Sequence, residues 1–279
     1  MRRAVVAGQF YENDFQKLEK QIKDCFFLKQ GPGDLPIKTR KGNIIGVIAP
    51  HAGYSFSGQC AAWAYKEIAE ARFPDTFIII GPSHYGFKYS YLTSQDFETP
   101  FGTVKTDKEL AKIFLDSGVV KENNEAHENE HSIEVQLRFL QYVNKTYLPH
   151  LKIIPITIGN YNKELASLIA EQKKSIYVIA SSDFTHYGPN YGYIPFSTKK
   201  KEEMYKLDAE AIKLIKKLDT EAFLNFVKDK TICGSNPIAT IMELCKLKKG
   251  SAYLSHYYTS GDISDDYDNA VGYASIILK

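Results

Sequence analysis

Three short apolar runs in this chain end in the same way. Ile44-Ile-Gly-Val-Ile-Ala-Pro-His51 closes on proline and histidine, and Phe77-Ile-Ile-Ile-Gly-Pro-Ser-His84 on proline, serine and histidine. Ile176-Tyr-Val-Ile-Ala-Ser-Ser-Asp183-Phe-Thr-His186 closes on an aspartate and then a histidine. Continuous β-branched runs of this length read as strands buried on both faces, the signature of a largely parallel sheet sandwiched between helices. Proline and glycine end the hydrogen-bonded ladder just beyond each run. Titratable groups are thereby placed at the carboxyl edge of a sheet, where α/β proteins bind their ligands. Of seven histidines, three fall at such ends, so the recurrence itself argues against three unrelated loop residues.

The rest of the chain fits this frame. Strands are expected at Asn43–Ala49, Thr76–Gly81, Lys152–Ile158, Ser175–Ser181, Ala252–Thr259 and Ala270–Leu278. Helical periodicity marks Asp14–Phe27 (capped by Asn13), Gln59–Arg72, Lys108–Asp116 and Ser132–Val143. It also marks Lys163–Gln172, Lys199–Leu218, Thr220–Val227 and Ile238–Leu247. Pro100–Thr106 reads as a turn or short hairpin. No repeat or long linker interrupts the pattern. The expectation is an α/β protein: one domain over residues 1–279, with a central mixed β-sheet covered by helices on both faces.

Composition narrows the function classes. A net charge of +2 and dispersed lysines give no basic stripe for nucleic acid. No run approaches the roughly 18 apolar residues of a membrane span, and the N-terminal residues lack the apolar core of a signal peptide. The four cysteines form no CxxC pair, which suits free thiols and a cytoplasmic location. No GxGxxG or P-loop pattern follows a strand, which argues against a nucleotide cofactor.

His51, His84, Asp183 and His186 are therefore the first candidates for a metal-type or acid–base site. Each has a plainer alternative: a hydrogen-bonded loop histidine, or an aspartate that caps a turn. Cys233, in Thr231-Ile-Cys-Gly-Ser-Asn-Pro-Ile, precedes a helix. It is open between an inert core thiol and a metal-binding thiolate favoured by the helix N-terminus. Cys25, Cys60 and Cys245 lie in helical patterns and read as core. His127-Glu-Asn-Glu-His131 matches HExxH, but a zinc-protease reading needs both histidines on one face of a helix. The polar stretch before His127 favours a loop there, with a helix starting near His131 and Ser132.

Taken together, the motifs resemble the Memo family across nearly the whole chain. They are Val5-Val-Ala-Gly-Gln-Phe-Tyr, Ala49-Pro-His-Ala-Gly-Tyr-Ser-Phe-Ser-Gly, Gly81-Pro-Ser-His, Asn129-Glu-His-Ser-Ile-Glu, Ser181-Ser-Asp-Phe-Thr-His-Tyr-Gly, Cys233-Gly-Ser-Asn-Pro-Ile, Ser260-Gly-Asp and Val271-Gly-Tyr-Ala-Ser. The resemblance implies a fold similar to class III extradiol (LigB-like) dioxygenases. It implies a metal held by His51, His84 and Cys233, with Asp183, His186 and His131 completing a catalytic pocket. Iron(II) or copper is the implied ion, with zinc the third candidate. A thiolate in place of a carboxylate softens the site, so ring cleavage does not transfer directly. The function implied is a metal-dependent oxidoreductase acting on a small, aromatic-type substrate. The competing reading is a non-enzymatic peptide- or metabolite-binding module using the same pocket. The resemblance also implies functional association with AMMECR1-type and radical SAM proteins, and no partnership with nucleic acid or membrane.

Overall fold

The computed structural model describes residues 1–37 and 39–279. Its ten strands are β1 (Gly46–Ala49), β2 (Thr76–Pro82), β3 (Ser90–Leu92), β4 (Lys105–Thr106), β5 (Lys121–Glu122), β6 (Lys152–Ile158), β7 (Ile176–Ser181), β8 (His186–Tyr187), β9 (Ala252–Thr259) and β10 (Ala270–Leu278). They form one mixed sheet in the order β5-β3-β6-β2-β7-β1-β10-β8, with β4 beside β6 and β9 beside β10. The four central strands, β6, β2, β7 and β1, run parallel; β10 lies antiparallel to β1.

The continuous apolar runs are buried on both faces, as their composition predicts. Alternate residues along β2 enter different cores. Phe77 and Ile79 join the helices Phe15–Phe27, Tyr54–Glu70 and Glu134–Val143. Ile78 and Ile80 join the helices Lys108–Asp116, Lys163–Ala170, Lys200–Lys216, Thr220–Val227 and Ser235–Leu247. Each fully buried side chain of this kind contributes roughly 1.5–3 kcal/mol relative to exposure. The central strands are therefore the part of the molecule least able to shift, which suits a scaffold for side chains at their ends.

The local expectations hold with small displacements. Strands β6, β9 and β10 and the helices Lys108–Asp116 and Thr220–Val227 have the expected bounds. The first helix is capped by Asp14, whose carboxylate accepts from Lys17 N–H, rather than by Asn13. The second helix begins at Tyr54, five residues before the expected start at Gln59. Ser57 and Gly58 weaken the local signal there, but Gly58 is required by packing. A Cβ on it would lie 2.5 Å from Cys25 Sγ. Tertiary contact thus overrides propensity. Among the described residues no helix is long and apolar enough to cross a membrane.

Candidate metal centre

Strands β2, β7 and β1 are neighbours in the sheet, so their carboxyl ends sit side by side with β7 in the middle. His84, Asp183 and His51 each lie two residues past those ends. Two more segments fold over the same edge. One is the turn 129–133, leading into the helix Glu134–Val143, and it carries His131. The other is the turn before Ser235–Leu247, and it carries Cys233. Both approaches need glycine. A Cβ on Gly81 would meet Ser132 Oγ at 2.3 Å, and one on Gly234 would meet Ser182 Cβ at 2.4 Å.

The ligating atoms of His51, His84 and His131 lie within 4.8 Å of one another, as do those of His51, Asp183 and Cys233. His51 is the shared member, and its Nε2 is 3.3 Å from Cys233 Sγ. The expected trio His51, His84 and Cys233 thus straddles two adjoining groups. The three-imidazole group is not a ready-made ligand set. The rings of His84 and His131 are stacked at 4.7 Å with 15° between their planes. Imidazole lone pairs lie in the ring plane, so an ion shared by these two rings would have to lie in both planes, which face-to-face stacking disfavours. His51 stands edge-on to both, at 84° and 85°. In this arrangement His51 can share an ion with either neighbour, while His131 serves as a wall stacked on His84 and faced by Phe10 at 5.0 Å.

The hydrogen bonds fix which nitrogen of each ring is free. His84 Nδ1 is 2.9 Å from Glu130 Oε1, and a carboxylate can only accept, so Nδ1 carries the proton and Nε2 is free. His51 Nδ1 is 2.9 Å from Ser181 Oγ. His186 Nδ1 lies between two main-chain carbonyls, Phe184 O at 3.0 Å and Thr231 O at 2.9 Å, so its Nε2 is also left free. Tyr191 stands edge-on to that ring at 5.1 Å. The Asp183 carboxylate accepts from the His51 main-chain N–H at 2.8 Å, and Asp183 N–H donates to Cys233 Sγ at 3.3 Å. Asp183 therefore ties the ends of β1 and β7 to the cysteine turn. Behind it, the fully buried Asp208 accepts from the Thr185 hydroxyl and the Tyr257 hydroxyl, both at 2.6 Å, and so holds the 183–186 turn.

Electrostatics divide these groups. Burial, and then the neighbouring His131, His84 and His186, hold His51 well below its ordinary value, in the neutral form that ligates metals. Burial likewise lowers His131 to about 4. Burial also works against charge on His84, but the bond and charge of Glu130 outweigh it and raise the ring. Burial pushes Asp183 up. Burial, followed by the Asp183 charge, raises the Cys233 thiol, so a thiolate there needs a cation beside it.

His127 stands apart. It lies on the four-residue helix Glu125–Glu128 rather than in a loop. Its Nε2 donates to Tyr91 O at 3.0 Å, and it belongs to neither ligating group. The HExxH string is thus not a metal motif here. Glu130, Ser181, Gln136 and Asp208 are the residues that the strand-end pattern did not single out. The only local signal for Gln136 is a polar residue among the apolar positions Ile133, Leu137 and Leu140.

A family model described as "Memo-like protein" matches residues 2–277. The chain belongs to the Memo family. Archaeal Memo-family relatives match along their whole lengths. A "MEMO1 family protein" of Methanopyrus kandleri is 38% identical over 100% of this chain and 99% of the relative. One of Desulfurococcus amylolyticus is 39% identical over 99% of this chain and 98% of the relative. One of Pyrococcus furiosus is 36% identical over 100% and 99%. Among solved structures, an uncharacterized protein of Escherichia coli K12 superposes with a TM-score of 0.54 at 9% identity. It covers 85% of this chain and 100% of its own, a likeness of fold alone.

Proposed function

We propose that this Memo-family protein binds one transition-metal ion, iron or copper, through His51, His84 and Cys233 and acts as an oxidoreductase on a small aromatic-type molecule. The observation that carries the metal reading is the pairing of a neutral, Nδ1-anchored His51 with Cys233 Sγ at 3.3 Å. Two anchored imidazoles and one thiol fit a borderline-soft divalent ion or copper(I). Bound there, the ion would supply Lewis acidity and, for iron or copper, one-electron redox capacity.

The protein's own groups supply the rest. Cys233 would hold the ion as a thiolate, because burial raises its thiol and only a neighbouring positive charge would draw off the proton. Glu130 orients His84 and strengthens it as a donor. His186, with Nδ1 committed to two carbonyls, can accept or deliver a proton at Nε2. Asp183, buried against His51, fixes the angle between the β1 and β7 ends. Tyr191, edge-on to His186, and Phe10, edge-on to His131, add aromatic surface beside the centre for a flat apolar substrate.

Elemental measurement of anaerobically purified protein, with and without His51→Ala, tests this. About one iron or copper per chain, lost in the variant, is the expected result. Substoichiometric metal that His51→Ala leaves unchanged sinks the proposal and favours the peptide- or metabolite-binding alternative.

A further inference from the structure

The anchor of His51 differs in kind from that of His84. The Ser181 hydroxyl makes three contacts: Ser132 O at 2.7 Å, Gln136 Nε2 at 2.8 Å and His51 Nδ1 at 2.9 Å. A hydroxyl has one proton. The carbonyl of Ser132 can only accept, so that proton points to it. The amide nitrogen of Gln136 can only donate, and it occupies one oxygen lone pair. What remains is a single acceptor site, and it faces His51 Nδ1.

Gln136 is itself fixed. The Pro50 carbonyl 2.9 Å away can only accept, which settles the orientation of the amide and turns its oxygen toward the Tyr65 hydroxyl at 2.7 Å. The amide nitrogen donates a second time, to Pro50 O, one residue before His51. This buried amide thus touches the ends of β1 and β7 together.

We propose that Ser181 and Gln136 are positioning residues that set the tautomer of His51, holding the proton on Nδ1 and leaving Nε2 to face Cys233 Sγ. The role matters because the alternative is close by. The sulfur 3.3 Å from Nε2 can itself accept a proton bond from that nitrogen. If the proton sat on Nε2, the ring would spend its ligating position on the thiol and leave Nδ1 against Ser181 without a donor. The hydroxyl network removes that choice before any ion arrives. Its consequence for metal affinity rests on the metal reading above, but the tautomer itself does not.

The experiment is nitrogen-detected NMR of the metal-free full chain with labelled histidine, at neutral pH. In the unaltered protein His51 is expected in the Nδ1–H form. In Ser181→Ala the Nε2–H form should become the major one. His84 and His186 should keep their signals, because Glu130 and two main-chain carbonyls anchor them. Gln136→Met, of similar volume, should shift the population in the same direction by a smaller amount, and it stands in should Ser181→Ala not fold. Cobalt(II) affinity measured alongside should fall about 10–100-fold in Ser181→Ala, the usual cost of losing an outer partner. An unchanged His51 tautomer in either folded variant overturns the proposal. If the unaltered chain takes up no cobalt while the tautomer shifts as described, the metal reading fails and the positioning role stands.

Discussion

Replacing Glu130 by glutamine isolates the anchor of His84. That one carboxylate accepts the His84 Nδ1 proton at 2.9 Å, the His84 main-chain N–H at 2.8 Å and the Ser132 main-chain N–H at 2.9 Å. Oε1 serves the ring and Ser132, and Oε2 serves the His84 main chain. A glutamine oxygen can take over the first pair. Its NH2 then faces the remaining N–H, donor against donor. One charge-assisted bond is lost, worth about 1.5–3 kcal/mol, and one part-buried N–H is left facing a donor at a cost toward the lower end of about 1–3 kcal/mol. A second route gives a similar size. Burial alone would lift the Glu130 carboxyl, but the His84 ring and the main-chain donors reverse this and hold it down at about 2, from 4.5. At about 1.36 kcal/mol per unit, that difference corresponds to about 3 kcal/mol.

The pH window follows from the signs. A depressed carboxyl stabilises the fold above its unfolded value and loses that contribution as pH falls toward about 2. A raised histidine contributes below about 6.5 and loses its share as pH rises through the raised value. Both are in force near pH 5.5. There Glu130→Gln should lower the melting temperature of the metal-free protein by about 6 °C, taking about 2 °C per kcal/mol for a chain of this size. At pH 3 the linkage leaves only about 1.4 kcal/mol, so the gap should shrink by more than half. Scanning calorimetry of both proteins at the two pH values is the assay. A gap that stays constant from pH 5.5 to 3, or never exceeds about 1 °C, refutes the reasoning.

Three further outcomes are expected. Cys233→Ser should abolish the sulfur-to-metal charge-transfer band of the cobalt(II) form, and in the unaltered protein metal affinity should rise with pH because the raised thiol must lose its proton; a pH-independent affinity would contradict this. Burial raises Asp208 to about 6, so its contribution to native stability should fall by about 2 kcal/mol as pH climbs from about 4 to about 6. Asp208→Asn should remove that decline, as urea titrations across the range will reveal, whereas Asp208→Ala should release the 183–186 turn. Replacing His127 by asparagine should leave metal stoichiometry untouched, because its ring bonds only to Tyr91 O; loss of the ion would restore the HExxH reading.

What could be read from the sequence was local. The runs at 44–49, 77–81 and 176–180 announced strands buried on both faces because they carry no charged residue and are almost wholly apolar, and the breakers after them located the sheet edge. His51, His84 and Asp183 were legible for that reason. Cys233 was not, since the residues around it look like any turn before a helix, and the role proposed for it came only through resemblance to a family. Glu130, Ser181, Gln136 and Asp208 act through hydrogen bonds to residues 23 to 130 positions away. No short-range pattern encodes such a pairing. The glycines at 81 and 234 looked like punctuation in the sequence, and only the structure shows them as the points where a turn is pressed against a strand end.

His51 and Cys233 touch across 182 positions of chain. During synthesis at about 5–20 residues per second, that interval lasts roughly 10–40 s. Throughout it the early histidines exist without their sulfur partner, so an emerging chain has no completed centre to fill. The N-terminal segment adds a second delay. The buried Glu134 receives the Val5 and Val6 N–H groups, the Tyr11 hydroxyl and Arg2, so the first residues made must wait for the helix at 134–143 before they lock. On the ligand set proposed above, the centre is therefore complete only once the chain beyond residue 233 has been made and the first residues have locked onto Glu134.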